Sequence, residues 1–324
     1  MKSARFLILA ILVSTVCVVG WAAGVPEPTE EVVYPSSPIK IVVPSTAGGA
    51  SDVVARLFQR AVDAHLSEPF VVVNVPGAGT ALGAREVATS RADGYTALMM
   101  HEAMLSASAQ GRFDLGWQSL EPVALTGREA YLVVVHASSE MRGLADLYRE
   151  AAVRPVRVGV NIGGLNHFTS LIVADAGNVE FQPVQYSGGA DAVTALLGRH
   201  IEVIFAALSE TGPYINAGDF RAIAVLSDER IPAISDVPTS LEQGYNAISA
   251  LNHMWWVPKG SPPDRAEILA RALQNAMSDP GVTTVFTSRN IQPYFLSGEE
   301  LKARVSRTAS TIEELVERFD LYAR

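Results

Sequence analysis

The stretch IKIVVPSTAGGASDVVARL occupies residues 39–57, and the stretch QPVQYSGGADAVTALL at residues 182–197 repeats its pattern. Each consists of a short apolar run, a Gly-Gly-Ala turn and an amphipathic segment, which predicts a β-strand followed by the start of a helix. Glycines let backbone N–H groups converge on one point, and a helix start adds partial positive charge, so each turn suits an anion. Two such turns, far apart in sequence, predict two lobes that grip one acidic solute.

The rest of the chain alternates strand and helix patterns, which predicts parallel sheets with helices on both faces. Strands are predicted at residues 39–43, 70–74, 95–100, 131–136, 156–160, 183–186, 202–205 and 222–226, with a returning strand at 251–257. Helices are predicted at residues 51–66, 82–89, 144–152, 167–176, 190–197, 210–217, 263–278 and 298–322. Ligands of such folds bind beyond the C-terminal ends of the strands, where both glycine turns lie.

We expect the chain to pass between the lobes near residues 131–136 and 251–257. The first lobe is then formed by residues 38–132 together with 252–324, and the second lobe by residues 133–251.

The N-terminus has the pattern of an export signal. Two basic residues precede the apolar run 6–19, and small residues follow it, which predicts a signal peptide at residues 1–24, cleaved near Ala22 or Gly24. An uncleaved membrane anchor is the alternative, but an apolar run of about 14 residues is short of the roughly 20 needed to span a bilayer. A leader rich in Pro, Glu and Ser follows at residues 25–37, and we expect the mature protein in the periplasm.

Composition and residue spacing limit the partners and the kinds of catalysis that the chain can support. The formal net charge of -9 does not favour nucleic acid as a partner. The single cysteine, Cys17, lies in the predicted signal peptide, where a lipid anchor is an alternative that Val16 fits poorly. The mature chain is then without cysteine, which rules out disulfides and thiol catalysis. The six histidines have no metal-ligand spacing, and no serine has the spacing of a nucleophile elbow, so we expect no metal, no cofactor and no enzyme activity.

One glycine cluster keeps an enzyme hypothesis open. Gly77, Gly79 and Gly83 have the spacing of a dinucleotide-binding turn, and Glu102 follows about 20 residues later, where an acid could bind a ribose. The chain could therefore be a nucleotide-dependent enzyme, with nucleotide bound at Gly77–Gly83. A structural turn before a helix is the simpler interpretation, because this unit is not the first strand–helix unit and Pro76 stiffens its turn.

Four polar side chains lie where either a structural or a binding role is possible. His101 and His167 both follow predicted strands and could face a cleft, or they could serve as hydrogen-bonding residues of the interior. Asp52 and Asp191 occupy the first turns of the two repeated helices, where capping is favoured over ligand contact. Trp255 and Trp256 are expected to pack in the core or at a hinge.

Several motifs together resemble one known family, and they cover the mature chain in order. Residues 34–52, 74–83, 93–96, 186–198 and 221–239 are similar to segments of the substrate-binding receptors of tripartite tricarboxylate transporters, the Bug family. The resemblance implies an α/β fold of the two-lobed, class II-like periplasmic binding proteins, which close like a Venus flytrap on a ligand in the cleft.

The resemblance also implies a function. Such a solute-binding receptor captures a small organic carboxylate, such as a di- or tricarboxylate or an aromatic acid, and delivers it to membrane transporter subunits. We expect a monomer. A ligand sensor that signals to a two-component kinase is the alternative.

Positions that match the family's ligand-contacting turns are the candidate site residues. In the first lobe they are Ser45, Thr46, Ala47, Gly48, Gly49 and Ser51, and we add His101. In the second lobe they are Asn161, Gly163, Gly164, His167, Tyr186, Ser187, Gly188, Gly189 and Ala190.

The chain departs from the family pattern in four places. Ser45 replaces a frequent aromatic residue, Gly164 a serine, and Asn252 and Met254 a tryptophan and a glycine. Ala206, included among the site residues, replaces a frequent aspartate. Without that acid, the case for an amino-acid ligand whose ammonium group would pair with it is weaker.

Overall fold

The computed structural model describes residues 34–45, 47, 48, 50–186 and 189–323, without the side chains of Ala50 and Ala190. The predicted signal peptide with its cleavage site, and the leader up to residue 33, lie outside the described residues. So do four candidate site residues: Thr46, Gly49, Ser187 and Gly188. Within the described part, no helix is both long enough and apolar enough to cross a membrane.

Strands and helices alternate along the described chain, as the sequence predicts. The strands are β1 (Ile39–Val43), β2 (Phe70–Asn74), β3 (Thr96–Met99), β4 (Leu120–His136), β5 (Arg157–Val160), β6 (Gln182–Gln185), β7 (Val203–Ala207), β8 (Phe220–Val225), β9 (Ala250–Pro258) and β10 (Gln292–Ser297). The helices are α1 (Ala50–Ala61), α2 (Ala81–Ala88), α3 (Ala103–Ala109), α4 (Leu144–Ala151), α5 (Leu165–Gly177), α6 (Gly189–Leu197), α7 (Leu208–Ala217), α8 (Pro263–Ala276), α9 (Pro280–Ser288) and α10 (Gly298–Arg318).

The strands form one sheet in the order β2-β1-β3-β9-β4-β7-β5-β6, with β10 and β8 also paired to β4. The pairs β1–β2, β1–β3, β5–β6 and β5–β7 are parallel, as expected for strands joined by helical crossovers. All pairings of β4 and β9 with other strands are antiparallel. The sheet is therefore mixed and not mainly parallel, because these two long strands join two parallel groups.

Strand β4 carries the chain from one group to the other. Its first half, residues 120–130, pairs with β9 and β10, and its second half, residues 131–136, pairs with β7 and β8. We call the part built on β1–β3, β9 and β10 the first lobe, and the part built on β5–β8 the second lobe. The crossings expected near residues 131–136 and 251–257 would fall in the second half of β4 and in β9. The residue boundaries predicted for the lobes remain a prediction.

Helices cover both faces of each lobe. In the first lobe, α1, α8 and α9 enclose a core around Phe58, Trp255 and Phe286 on one face of the sheet. On the other face, α2, α3 and α10 pack around Leu98 and Trp256. Neighbouring residues of a strand point to opposite faces, so the two tryptophans fill the two cores of one lobe, which confirms their predicted packing role. The second lobe has α4 and α5 on one face and α6 and α7 on the other.

Candidate functional site

The C-terminal ends of the parallel strands of both lobes point toward the same stretch of β4. Strands β1–β3 run in the direction of β4, whereas β5–β7 run against it. Met100, just after β3, donates its N–H to Met254 of β9, which pairs with Leu125 of β4. Ala207, the last residue of β7, pairs with Tyr131 of β4. The two edges are thus about 20 Å apart along β4, at about 3.3 Å per residue. We call the space between these two edges the cleft, and the parts of β4 and β9 that lie between them its floor.

The first-lobe edge of the cleft carries the turn between β1 and α1. Ala47 and Gly48 are exposed, Ser45 is half-buried, and Ser51 is buried with its hydroxyl 3.9 Å from the Met100 sulfur. The carbonyl of Ser45 accepts a hydrogen bond from the Asn74 side chain at 3.0 Å. We call the described residues of this turn, Ser45, Ala47, Gly48 and Ser51, the first corner.

Asp52 holds the first corner from the start of α1. Its carboxylate accepts hydrogen bonds from the Gly48 N–H at 2.8 Å, from Arg56 Nε at 3.0 Å and from Asn74 Nδ2 at 2.9 Å. Burial opposes ionisation, but these hydrogen bonds outweigh it and lower the pKa of Asp52. Asp52 therefore caps the turn, as the sequence predicts, and the Gly48 N–H is directed at this carboxylate.

The second-lobe edge carries the turn between β6 and α6. Tyr186 is half-buried and donates its backbone N–H to Val160, and Gly189 begins α6. Tyr186, Gly189 and Ala190 are the described residues of what we call the second corner. A Cβ at Gly189 would lie 3.1 Å from Oε1 of Glu210, a residue of α7. No sequence pattern pointed to Glu210, because its position depends on the packing of α7 beside α6.

The turn between β5 and α5 links the two lobes. Gly163 has a φ of +79°, and its carbonyl accepts a hydrogen bond from the side chain of Gln110, just after α3, at 2.8 Å. The Gly163 N–H donates to His167 Nδ1 at 3.2 Å, and the Asn161 N–H donates to Asn166. Gly164 donates its N–H to the carbonyl of Asn161 at 2.7 Å. The backbone N–H groups of this predicted binding turn thus have partners within the protein.

The floor of the cleft is polar and acidic. His253 Nε2 of β9 lies 3.0 Å from Glu129 Oε1 of β4, and Ser209 donates to the other oxygen of Glu129 at 2.5 Å. His101 is half-buried near His253, and burial together with the neighbouring ring lowers its pKa to about 3. Desolvation of the carboxyl group and the charge of Glu129 raise the pKa of Glu210. Part of its side chain is nevertheless exposed to solvent. A group of this kind is expected in the depth of a cleft.

Glu102, the acid of the nucleotide hypothesis, is buried beside the floor. It accepts hydrogen bonds from the backbone N–H of Asn252 at 3.0 Å and from the side-chain amide of the same residue. Burial raises its pKa, although these hydrogen bonds act in the opposite direction. A Cβ at Gly83 would lie 2.6 Å from the Pro44 side chain, so this glycine allows α2 to approach β1. Both features have structural roles, which disfavours a nucleotide site.

Ala206 and His167 are both buried. Ala206 is 4% exposed and packs among apolar residues beneath α6, paired with Leu132 of β4. His167 is 5% exposed, and burial lowers its pKa. A cavity of about 530 Å³ adjoins His167, but the rest of its lining comes from α5, the β5–β6 side and the end of α10, and includes no residue of either corner. Among the described residues, no group of three or more His, Cys, Asp or Glu side chains could hold a metal ion.

Comparisons with known proteins agree on one family. Residues 54–321 match the model of the tripartite tricarboxylate transporter family receptor. A protein of Agrobacterium vitis, described as the UPF0065 protein in the TAR-I ttuE-ttuC' intergenic region, is 32% identical over 296 residues, which cover 87% of this chain and 85% of that protein.

Solved structures share the fold. A TctC solute binding protein from Polaromonas superposes with a TM-score of 0.80 at 28% identity, covering 88% of this chain and 99% of that one. MatC of Rhodopseudomonas palustris, solved with bound malate, gives a TM-score of 0.71 at 24% identity, covering 87% of this chain and all of the other. The two-lobed periplasmic binding fold expected from the sequence is thereby confirmed.

Proposed function

Because this chain belongs to the tripartite tricarboxylate transporter receptor family, we propose that it captures a small organic carboxylate between its two lobes and delivers it to membrane transporter subunits. The observation that carries the proposal is the opposed arrangement of strand ends: the edges of β1–β3 and β5–β7 face each other across the floor formed by β4 and β9. The malate bound to MatC, which shares this fold, supports a carboxylate as ligand.

The energetics permit such binding with few contacts. Micromolar affinity requires about 8 kcal/mol. Hydrogen bonds to a charged group contribute roughly 1.5–3 kcal/mol each, and a helix start adds up to about 2 kcal/mol in partly buried geometry. A few contacts from the two corners reach this range after the cost of ordering. We propose that the lobes close on the ligand, since closure excludes water and strengthens each of these contacts.

Export to the periplasm and monomeric state are parts of the same proposal. Membership of a transporter receptor family supports export. Export predicts that the mature protein appears in a periplasmic extract and has lost about 24 residues, as mass spectrometry would measure. A cytoplasmic, full-length product would contradict it. Co-purification with membrane subunits would distinguish a transport receptor from one that signals to a kinase.

A thermal-shift screen of the purified protein tests the central proposal. The panel comprises mono-, di- and tricarboxylates, aromatic acids and amino acids, with uncharged sugars and nucleotides as controls. A ligand at 100 times its dissociation constant stabilises the folded state by about 2.7 kcal/mol, which is readily seen. We expect at least one acid, and no sugar or nucleotide, to raise the melting temperature. Stabilisation by a nucleotide alone would favour the enzyme hypothesis instead.

The variant Gly189→Pro tests whether the second corner takes part. Proline is tolerated in the first position of a helix, so the protein should fold, but the variant lacks one N–H and places a ring beside Glu210. We expect the stabilisation by acids to disappear while the circular dichroism spectrum is unchanged. Unchanged binding would show that this corner does not contact the ligand.

A further inference from the structure

Glu210 occupies the place where a ligand carboxylate is expected in the second lobe. It lies in the first turn of α7, directly after β7. A Cβ on Gly189 would lie 3.1 Å from its Oε1 and 3.3 Å from its Oε2, so the carboxylate is in contact with the first residue of α6. The positive end of α6 therefore already faces an anion that belongs to the protein.

No basic side chain neutralises this anion among the described residues. Glu210 accepts a hydrogen bond from the backbone of Ala207, and the negative charge of Glu129 opposes its ionisation. Arg128, which precedes Glu129 on β4, pairs with Asp228 at 3.1 Å and donates to Gln292 at 3.1 Å. Consecutive side chains of a strand point to opposite faces, so this guanidinium lies away from Glu129 and Glu210. The second-lobe side of the cleft therefore has an excess of negative charge.

The first corner differs in this respect. Its carboxylate, Asp52, forms an ion pair with Arg56 at 3.0 Å and accepts further hydrogen bonds from Gly48 and Asn74. Glu210, which lies beside the second corner, has no such ion pair among the described residues. An elongated ligand in the cleft thus meets a neutralised corner at one end and an uncompensated carboxylate at the other.

Several buried polar atoms lack a partner among the described residues, and two of them belong to the first corner and to the Glu129–His253 contact. One is the hydroxyl of Ser45 in the first corner. The other is Nδ1 of His253, a fully buried ring whose Nε2 contacts Glu129. Buried polar atoms are almost always hydrogen-bonded in folded proteins, and those without a partner often mark the place of a ligand or a bound water. These two atoms are therefore available to form hydrogen bonds with a polar ligand.

We infer that Glu210 makes the cleft selective for acids that also carry a positively charged amine, with the carboxylate at the first corner and the ammonium beside Glu210. This inference rests on the proposed function and narrows its ligand class. A second carboxylate at this position would meet Glu210 at close range and be repelled, whereas an ammonium would be attracted.

Isothermal titration calorimetry with matched acids tests the inference. The probes are three pairs that differ only by an amine: butyrate and 4-aminobutyrate, succinate and aspartate, and glutarate and glutamate. They are titrated at pH 7.5 into wild type, into Glu210→Gln and into Glu313→Gln, a control on the exposed face of α10. We expect the amine to improve affinity in wild type and in the control by roughly tenfold or more, and this advantage to be lost in Glu210→Gln.

The outcomes separate the inference about Glu210 from the proposed function as a carboxylate receptor. If plain acids bind wild type as tightly as their amine-bearing partners, or if Glu210→Gln keeps the preference for the amine, the inference is overturned and the carboxylate receptor stands. If none of these six acids binds, the inference is overturned, and if the thermal-shift screen also finds no acid, the proposed function itself fails. Should Glu210→Gln not fold, Glu210→Ala takes its place in the same titrations, and a preference for the amine that persists in this variant overturns the inference.

Discussion

His253 Nε2 lies 3.0 Å from Glu129 Oε1, and this contact joins the two strands that carry the chain between the lobes. Both side chains are almost fully buried. The second oxygen of Glu129 accepts a hydrogen bond from Ser209, which lies at the start of α7 in the second lobe. One carboxylate therefore connects β4, β9 and the second-lobe edge of the cleft, and it should influence both stability and the geometry of the floor.

We predict that Glu129→Leu destabilises the protein and that Glu129→Gln does so much less. Leucine leaves the His253 ring without its partner in the interior, and a buried polar group without a partner costs about 1–3 kcal/mol. Glutamine can keep hydrogen bonds to both His253 and Ser209. Urea denaturation of the three proteins at pH 7 measures the difference in free energy of unfolding. Equal stability of the leucine variant and wild type would show that the contact contributes nothing.

Asp52→Ala should lower the free energy of unfolding by about 1–2 kcal/mol, because the variant loses the cap of α1. The pKa of Asp52 is lower in the folded protein than its ordinary value of 3.8. Its contribution is therefore complete above pH 3.8 and is lost as the pH falls further, through the folded-state pKa. Denaturation curves between pH 7 and pH 2.5 should show wild type and variant converging only at the acid end. A difference that is constant over this range would contradict the assigned ionisation.

The sequence predicted the regular parts of the fold well, because they follow from local patterns. Strands β1 and β2 begin and end where the alternating apolar runs do. Helix α1 follows the Gly-Gly-Ala turn with the capping aspartate in its first turn. In these segments local propensity and tertiary packing favour the same structure.

Elements that depend on distant partners were not predicted. The first half of β4 was missed because Pro122, Gly127 and the charged pair Arg128–Glu129 interrupt its apolar pattern. Strand β10 contains Pro293 and lies at an edge, where proline is tolerated, and the short helix α3 consists mainly of small residues. The alternation pattern that predicts strands is absent from the first half of β4. Polar residues that form the floor of the cleft occupy positions where a buried strand usually has apolar residues.

The sequence predicted the glycine turns of the candidate site, but it did not predict the acidic side chains beside them. The glycine turns follow directly from the repeated pattern, and their strands end at the two edges of the cleft. Glu129 and Glu210 gave no signal, since each is an ordinary polar residue in its own segment. Their proximity depends on β4 pairing with β7 and on α7 packing beside α6, two contacts between segments far apart in sequence.

We predict that His101→Asn reduces the loss of stability in weak acid. The folded protein holds the pKa of His101 at about 3, below its ordinary value of 6.5, because burial disfavours the charged ring. Between these values the unfolded chain binds a proton that the folded protein does not, so stability falls as the pH decreases from 6.5 toward 3. Removing this group should lessen the slope by up to about 1.4 kcal/mol per pH unit. Urea denaturation from pH 7 to pH 4 measures the slope, with the exposed His65→Asn as control. Identical slopes in wild type and His101→Asn would contradict the assignment.

Gly163→Ala should weaken the contact between the lobes, and Gly218→Ala provides a matched control. Both glycines have a φ of +79°, where a side chain costs about 1–2 kcal/mol. A Cβ at Gly218 meets nothing within 4 Å, whereas a Cβ at Gly163 would lie 2.4 Å from Oε1 of Gln110. The added methyl group must displace the Gln110 side chain, which donates to the Gly163 carbonyl across the two lobes.

The comparison of the two variants separates backbone strain from the loss of this hydrogen bond. Strain alone should destabilise both proteins equally in urea denaturation, and the broken contact should add about 1 kcal/mol in Gly163→Ala only. Because Gln110 connects the lobes directly, we expect ligand affinity to change in this variant and to remain unaltered in Gly218→Ala. If the two variants are equally stable and bind acids equally well, the hydrogen bond between Gln110 and Gly163 has no part in holding the lobes together. If the double variant Gly163→Ala with Gln110→Ala is as stable as Gly163→Ala alone, the single variant has already lost the contact made by Gln110.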